Sequence, residues 1–301
     1  MAVKVLVAGA TGMMGQKVAS ALLQRGASTR LLVRGGENNA KADQLRPLKD
    51  RGAEIVDGDV TRPDSLRAAV ADVDVVVSTL QGGRPIIVDG QLALAKEAKK
   101  AGAKRFFPSD FSVYIDKDVG VDFHVWLGLR NEADKLIAEQ VGIPQTNTYN
   151  GCFMEMIVDT PLGMGDTKSN TVFYWGDANK KYTFTTTDDV AQFVASAVVN
   201  NAVGPGPFCV VGDEKSPIEI AQILTKLTGH EFSLQSRGSL SDLDEEIDRR
   251  KQKDPDNQMA YALPMYLRML TSGRGDMPAV HNHKCADVKP QSVESFIGAQ
   301  V

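Results

Sequence analysis

Side chains able to move a proton or hold a charge crowd together in LGLRNEADKL, residues 127–136, which carries Arg130, Asn131, Glu132, Asp134 and Lys135. His124 lies just ahead of it, and an imidazole changes charge near neutral pH. A helix over this stretch puts Lys135 one turn, about 6 Å of rise, beyond Asn131. The two then share a face, joined by His124 if the helix begins early enough. Leu129, Ala133, Leu136 and Ile137 form an apolar stripe on the opposite face. Such a polar face is either the acid–base side of a cleft or a solvated surface, and the choice depends on what lies upstream.

Upstream is GATGMMG, with Gly9, Gly12 and Gly15 directly after the apolar run VKVLVA and at the start of an amphipathic segment. In a strand–turn–helix setting the first glycine makes the tight turn, the second lets backbone approach a pyrophosphate, and the third permits close helix–strand packing. The helix N-terminus offers free N–H groups to phosphates, so Thr11, Met13 and Met14 belong to the same loop. An acid for a ribose 2′-hydroxyl is expected about 20 residues further on. This chain has Arg34 there, at the end of LLVRGG. A guanidinium holds a 2′-phosphate where a carboxylate would repel it, so NADP(H) is the cofactor expected; capping of the strand end is the plainer use of Arg34. Asp59, followed by Val60, is placed for an adenine edge or for capping the next helix. Thr79, Leu80 and Gln81 end the fourth strand, where the sheet's C-terminal edge faces the cofactor.

These groups need a parallel sheet to hold them. Strand-like runs at 3–8, 28–34, 53–59, 73–79, 104–109 and 144–150 alternate with helical segments, which implies right-handed βαβ units and a sheet covered on both faces. The expected fold is α/β: a Rossmann-type doubly wound sheet over residues 1–150, completed by about 186–229. A smaller substrate lobe takes 151–185 and 230–301. Beyond 150 the pattern predicts strands in NTVFYWG, KYTFTT and GPFCVVG. It predicts helices over 188–200 (capped by Thr187 or Asp188), 216–229 (capped by Ser216, with Pro217 first and Gly229 last), 239–254 and VESFI.

The chain has 301 residues, 43% of them hydrophobic and 24% charged, enough for a real core. A net charge of −4 with no basic stripe argues against nucleic acid as a partner. No apolar run is long enough to cross a bilayer. Cys152, Cys209 and Cys285 are few and far apart, which reads as a reducing, cytoplasmic setting rather than a disulfide framework. Trp126, Tyr174 and Trp175 are candidates for a pocket wall or for core. In HNHKC, a strand would align His281, His283 and Cys285 on one face, but no second ligand cluster accompanies them, so no metal is expected.

GATGMMG, VRGG, RFFPSDF and GIPQTNTYNGCF together resemble the NmrA-like, isoflavone-reductase-like branch of the atypical short-chain dehydrogenases, and the similarity runs on through TTTDDVA to DVKPQSVESFI. The resemblance implies an extended Rossmann protein that binds NADP(H). It places Asp110 at the cleft edge, with a loop cap as the alternative, and Asn150, Cys152 and Phe153 beside the nicotinamide. Cys152 has no nearby histidine and reads as packing rather than nucleophile. Reductases of this family carry a catalytic lysine eleven residues before the GIP glycine; counting back from Gly142 gives Asn131, a departure. An amide donates a hydrogen bond but is no acid. The leading expectation is an NADPH-dependent reductase of a small aromatic or conjugated carbonyl, in which Asn131 orients the carbonyl and His124, Lys135 or water gives the proton. Second is an NADP(H) sensor that contacts a protein partner; third is a dehydratase or isomerase. Either a monomer or a homodimer suits these readings.

Overall fold

The computed structural model describes residues 2–300. Strands β1 (Lys4–Ala8), β2 (Ser28–Val33), β3 (Glu54–Asp57), β4 (Val75–Ser78) and β5 (Arg105–Phe107) form a parallel sheet in the order β3-β2-β1-β4-β5. Beyond it, β6 (Thr146–Tyr149) approaches β5 through the Phe106–Gln145 bridge. β7 is Cys152–Phe153, β8 Gly165–Asp166, β9 Thr171–Tyr174 and β10 Tyr182–Thr185. β11 (Gly206–Cys209) returns to pair in parallel with β6. β12 (Asp213–Lys215) pairs with β10, and β13 (Ser233–Ser236) with β9.

The helices are α1 (Met13–Gln24), α2 (Arg46–Lys49), α3 (Leu66–Ala69), α4 (Gln91–Lys100), α5 (Val125–Gln140), α6 (Thr187–Val199), α7 (Pro217–Thr228), α8 (Leu240–Lys253), α9 (Gln258–Ser272) and α10 (Val293–Gly298). Strand alternation explains the layering. Val5, Val7, Val75, Val77 and Phe107 point into one core with α1 and α6. Leu6, Ala8, Val76 and Phe106 point into the other, with α4 and Ile137 of α5. Burying each such side chain contributes roughly 1.5–3 kcal/mol, so a one-residue slip would empty both cores. A third apolar cluster gathers α7, α8, α9 and the start of α5 into a separate lobe.

Two elements differ from expectation. The cap of α6 is Thr186, whose hydroxyl accepts from the Asp189 N–H at 3.0 Å, one residue before the predicted cap. HNHKC is a tight turn over Asn282–Cys285 rather than a strand. His281 Nδ1 accepts from the Cys209 N–H (3.0 Å), and Asn282 accepts from Val211 N–H (3.0 Å), so these side chains cap the end of β11. No metal-ligating cluster occurs among the described residues, and no helix among them is long and apolar enough to cross a membrane. Helix α9 had no sequence expectation; Pro264 stands inside it.

Candidate functional site

A cleft of about 650 Å³ opens at the C-terminal ends of β1, β2 and β4. Gly9, Thr11, Gly12, Met13, Met14, Arg34, Asp59, Val60, Thr79, Leu80, Gln81 and Phe153 line it. Gly9 turns the chain at φ +83°, and a Cβ there would sit 2.7 Å from the Thr79 carbonyl oxygen. Gly15 lies beneath the loop rather than in the cleft; a Cβ on it would come 2.3 Å from the Gly9 carbonyl oxygen. The N-terminus of α1 has Gly12 as its cap, and among the described residues no side chain satisfies its first N–H groups, so these are open to an anion.

The far end of the cleft is cationic. Arg34 leaves the tip of β2 with Asn39 and Lys41 beside it. Asn39 Nδ2 donates to the Arg34 carbonyl at 2.7 Å, and Asn39 Oδ1 accepts from the Lys41 N–H at 2.8 Å, which folds the loop over the strand end. Neither Arg34 nor Lys41 forms an ion pair among the described residues. Burial works to raise Asp59, but Thr61, whose N–H and hydroxyl both reach Oδ1, and the charges of Arg34 and Arg62 hold it below its ordinary value. The glycine turn, the open N–H groups and these two cations fit a dinucleotide bearing an extra phosphate.

At the other end the helix α5 presents Arg130, not Asn131, to the cleft. Arg130 Nη1 donates to Ser109 Oγ at 3.1 Å, and Ser109 Oγ donates to the Leu80 carbonyl at 2.7 Å. Asn131 is buried, 7% exposed, under the 116–121 loop. Its Nδ2 lies 3.2, 3.0 and 2.7 Å from the carbonyl oxygens of Asp116, Lys117 and Val119. Lys135 Nζ donates to the Lys117 carbonyl at 2.5 Å. Gly128 completes the clasp: a Cβ there would meet Val121 N at 2.2 Å. The face expected to be polar and solvated, or catalytic, is thus a seam that fastens a loop to the helix.

His124 caps α5. Its Nδ1 accepts from the Trp126 and Leu127 N–H groups at 3.2 and 3.3 Å, which leaves the proton on Nε2. Burial, with help from the Arg130 charge, pulls its pKa down to about 3, so it stays neutral and does not serve as an acid at neutral pH. Asp110, expected at the cleft edge, lies fully buried behind it, accepting from Asn147 Nδ2 at 2.9 Å. Burial raises Asp110 to about 6, against the pull of Arg130 and Asn147. Burial first, and the Asp110 carboxyl second, raise Asp134 well above its usual range. Oδ1 of each acid is buried with no other partner among the described residues, and a proton shared between the two carboxyls supplies what the pair needs.

Asn150 and Cys152 are also buried away from the cleft wall. Asn150 Nδ2 bonds the Gly151 carbonyl at 3.0 Å, and burial pushes the Cys152 thiol up to about 12, where it is no nucleophile. Tyr174 and Trp175 line a small gap in the lobe instead of the cleft. Trp126 does reach a cavity: a space of about 410 Å³ walled by Gly82, Ile87, Trp126, Asp256, Asn257, Gln258 and Met259. It shares Gln81 and Arg130 with the first cleft. The residues that sequence reasoning missed, Arg130, Ser109, Phe111, Ile86, Lys41 and Asn39 among them, sit on loops or next to a position that drew attention instead. Arg130 was visible as a cation one residue before Asn131, and only the helix's rotation distinguishes them.

The sequence model of the NmrA-like family matches residues 1–261. A phenylcoumaran benzylic ether reductase of Pinus taeda is 34% identical over 206 residues, covering 65% of this chain; the match spans 64% of that relative's length. Pinoresinol reductase 1 of Arabidopsis thaliana is 32% identical over 248 residues, 76% of this chain and 75% of its own. The structure of AtPrR2 with NADP+ and (+)pinoresinol superposes with a TM-score of 0.83 at 25% identity, over 100% of this chain and 99% of that one. With a family match over most of its length and a parallel sheet carrying the glycine turn, the chain belongs to the NmrA-like family.

Proposed function

We propose that the protein is an NADP(H)-dependent reductase of a small aromatic or conjugated carbonyl compound. One observation carries the reading: a phosphate-ready cleft, with Arg34 and Lys41 at one end in no ion pair among the described residues, adjoins across Gln81 and Arg130 a second cavity walled by Trp126 and Met259. A dinucleotide needs the first space and an aromatic substrate suits the second. The relatives' names, and the neighbour with NADP+ and (+)pinoresinol, support the same pairing.

On this reading Gly9, Gly12 and the first N–H groups of α1 hold the pyrophosphate, while Arg34 and Lys41 hold the 2′-phosphate. The bound nicotinamide would supply a hydride. Phe153, Phe111 and Ile86 exclude water from the cleft, and Trp126 and Met259 orient a flat substrate across Gln81. Residues 151–185 and 230–301 make up the substrate side, and Asn131 stands at the position of the family's lysine as a structural residue. The test has two arms: calorimetric titration with NADPH and NADH, and NADPH consumption across enones, quinones, aromatic aldehydes and benzylic ethers. Preferential NADPH binding with turnover of one class supports the reading; equal affinity for both nucleotides sinks the cofactor assignment. Binding without any turnover favours the second reading, a cofactor sensor, for which Asn131 in place of lysine is the specific motive.

A further inference from the structure

We infer that Arg130 is the catalytic cation of this site, holding the substrate oxygen that becomes negative as hydride arrives. The inference deepens the reductase reading and rests on it. Arg130 and Gln81 are the two residues common to both cavities, so its guanidinium stands where cofactor space meets substrate space.

Its aim and its charge are both prepared. The Ser109 hydroxyl gives its proton to the Leu80 carbonyl and so turns a lone pair to Arg130 Nη1, fixing one edge of the guanidinium. That is Arg130's one hydrogen bond among the described residues, and no carboxylate there lies close enough to form an ion pair with it. Asp110 and Asp134 stand behind it and hold its charge up against the effect of burial. With one proton shared between them, they balance the cation without clamping it. The remaining N–H groups of the fork stay available. Trp126, from the same helix, walls the substrate side one turn away.

A guanidinium does not release its proton, so Arg130 acts by charge and hydrogen bonding rather than as an acid. For an enone the balance is simple. Hydride forms a C–H bond at the β-carbon; the C=C π bond breaks and its electron pair leaves negative charge on the carbonyl oxygen. Arg130 holds that oxygen, water gives a proton to the α-carbon, and the cofactor is left oxidised by two electrons. The substrate this role requires carries an oxygen that gains negative charge as hydride is accepted, beside an aryl group flat enough to lie between Trp126 and Met259.

The test uses the whole protein and two readouts. The first is binding of 4-hydroxycinnamate, an aromatic anion, to the NADP+ complex by calorimetry. The second is kcat on any substrate the parent reduces. Arg130→Met should weaken 4-hydroxycinnamate at least about tenfold, and by more than it weakens NADPH. It should lower kcat by about 10²–10³-fold, the range for loss of one oxyanion donor, with part recovered in Arg130→Lys. Unchanged probe affinity in Arg130→Met, or a parent NADP+ complex that does not bind the probe, overturns the role of Arg130. A parent that binds no NADPH overturns the cofactor reading, and this inference falls with it. If Arg130→Met does not fold, Arg130→Lys and Ser109→Ala carry the test: about three- to tenfold weaker probe binding is expected where the fork is replaced or loses its aim, and parental affinity in both overturns the inference.

Discussion

Arg130 and Asn131 are neighbours on α5 and do opposite work. Arg130 reaches Ser109 Oγ at 3.1 Å in the wall of the cleft, while Asn131 turns under the helix and donates to the Val119 carbonyl at 2.7 Å. Successive residues on a helix lie about 100° apart. That rotation separates a side chain available to a ligand from one used up in holding a loop.

Asn131→Ala should therefore cost stability more than chemistry. It removes a buried donor and strands the carbonyls of Asp116, Lys117 and Val119, a loss of about 1–3 kcal/mol. Urea unfolding should show it as a lowered midpoint with unchanged slope. NADPH affinity should stay within about twofold of the parent, well below the tenfold that 1.4 kcal/mol represents. Asn131→Lys should also destabilise, because a longer charged chain does not fit under the loop, and it should not create reductase activity. A large gain in turnover from that variant would place the lysine position in the reaction after all.

At the other end of the cleft, Arg34→Ala and Lys41→Ala should each narrow the preference for NADPH over NADH. A charge-assisted contact to the 2′-phosphate is worth about 1.5–3 kcal/mol, and NADH binding should hardly change. Calorimetry on the two variants checks this. Preserved discrimination in the double variant would mean that the extra phosphate is held elsewhere.

Gly9→Ala should abolish nucleotide binding. The residue has φ +83°, and its Cβ would press on the Thr79 carbonyl oxygen at 2.7 Å, so the turn must move away from both the β4 end and the phosphate site. The expected readout is loss of NADPH binding together with a lowered melting temperature. Normal binding by this variant would show that the turn is not the phosphate cradle.

Two buried groups should tilt stability with pH in opposite senses. His124 titrates near 3 in the fold against an ordinary 6.5, so the unfolded chain binds more protons in that window and stability is lost as pH falls through it. Asp110, paired with Asp134, is raised from 3.8 to about 6, so the folded chain binds more protons there and stability is lost as pH rises through that window. His124→Asn keeps an N-cap side chain and should gain on the parent as pH is lowered from about 7 to about 5. Asp134→Asn can donate the hydrogen bond itself and should gain on the parent as pH is raised from about 5 to about 8. Melting curves with parallel pH dependence for parent and variants would count against both assignments.

Much of the scaffold was legible in the chain because its signals are local. The alternation of Val5, Leu6 and Val7 declares a strand buried on both faces. Ser216, Pro217, Glu219 and Gly229 mark both ends of α7, where the structure has a capping box and a left-handed terminus at φ 73°. The segment 258–272 gave no such signal: Pro264 stands in the middle of an otherwise helical, apolar run, and only packing against α8 and α5 makes it a helix.

For the site, the residues themselves determined the glycine turn after β1, the cation at Arg34 in place of an acid, and the parallel sheet whose strand ends converge there. Each depends on spacing within one βα unit. Tertiary structure alone decided which polar residues of α5 meet the cleft. His124 is spent on capping, Asn131 and Lys135 on the 116–119 carbonyls, and Asp110 and Asp134 on each other, because a buried donor or acceptor takes the nearest partner that folding brings to it. That partner is set by the path of a distant loop. Arg130 is held beside the second cavity because Ser109, 21 residues earlier, lies two residues past the end of β5 and accepts its hydrogen bond.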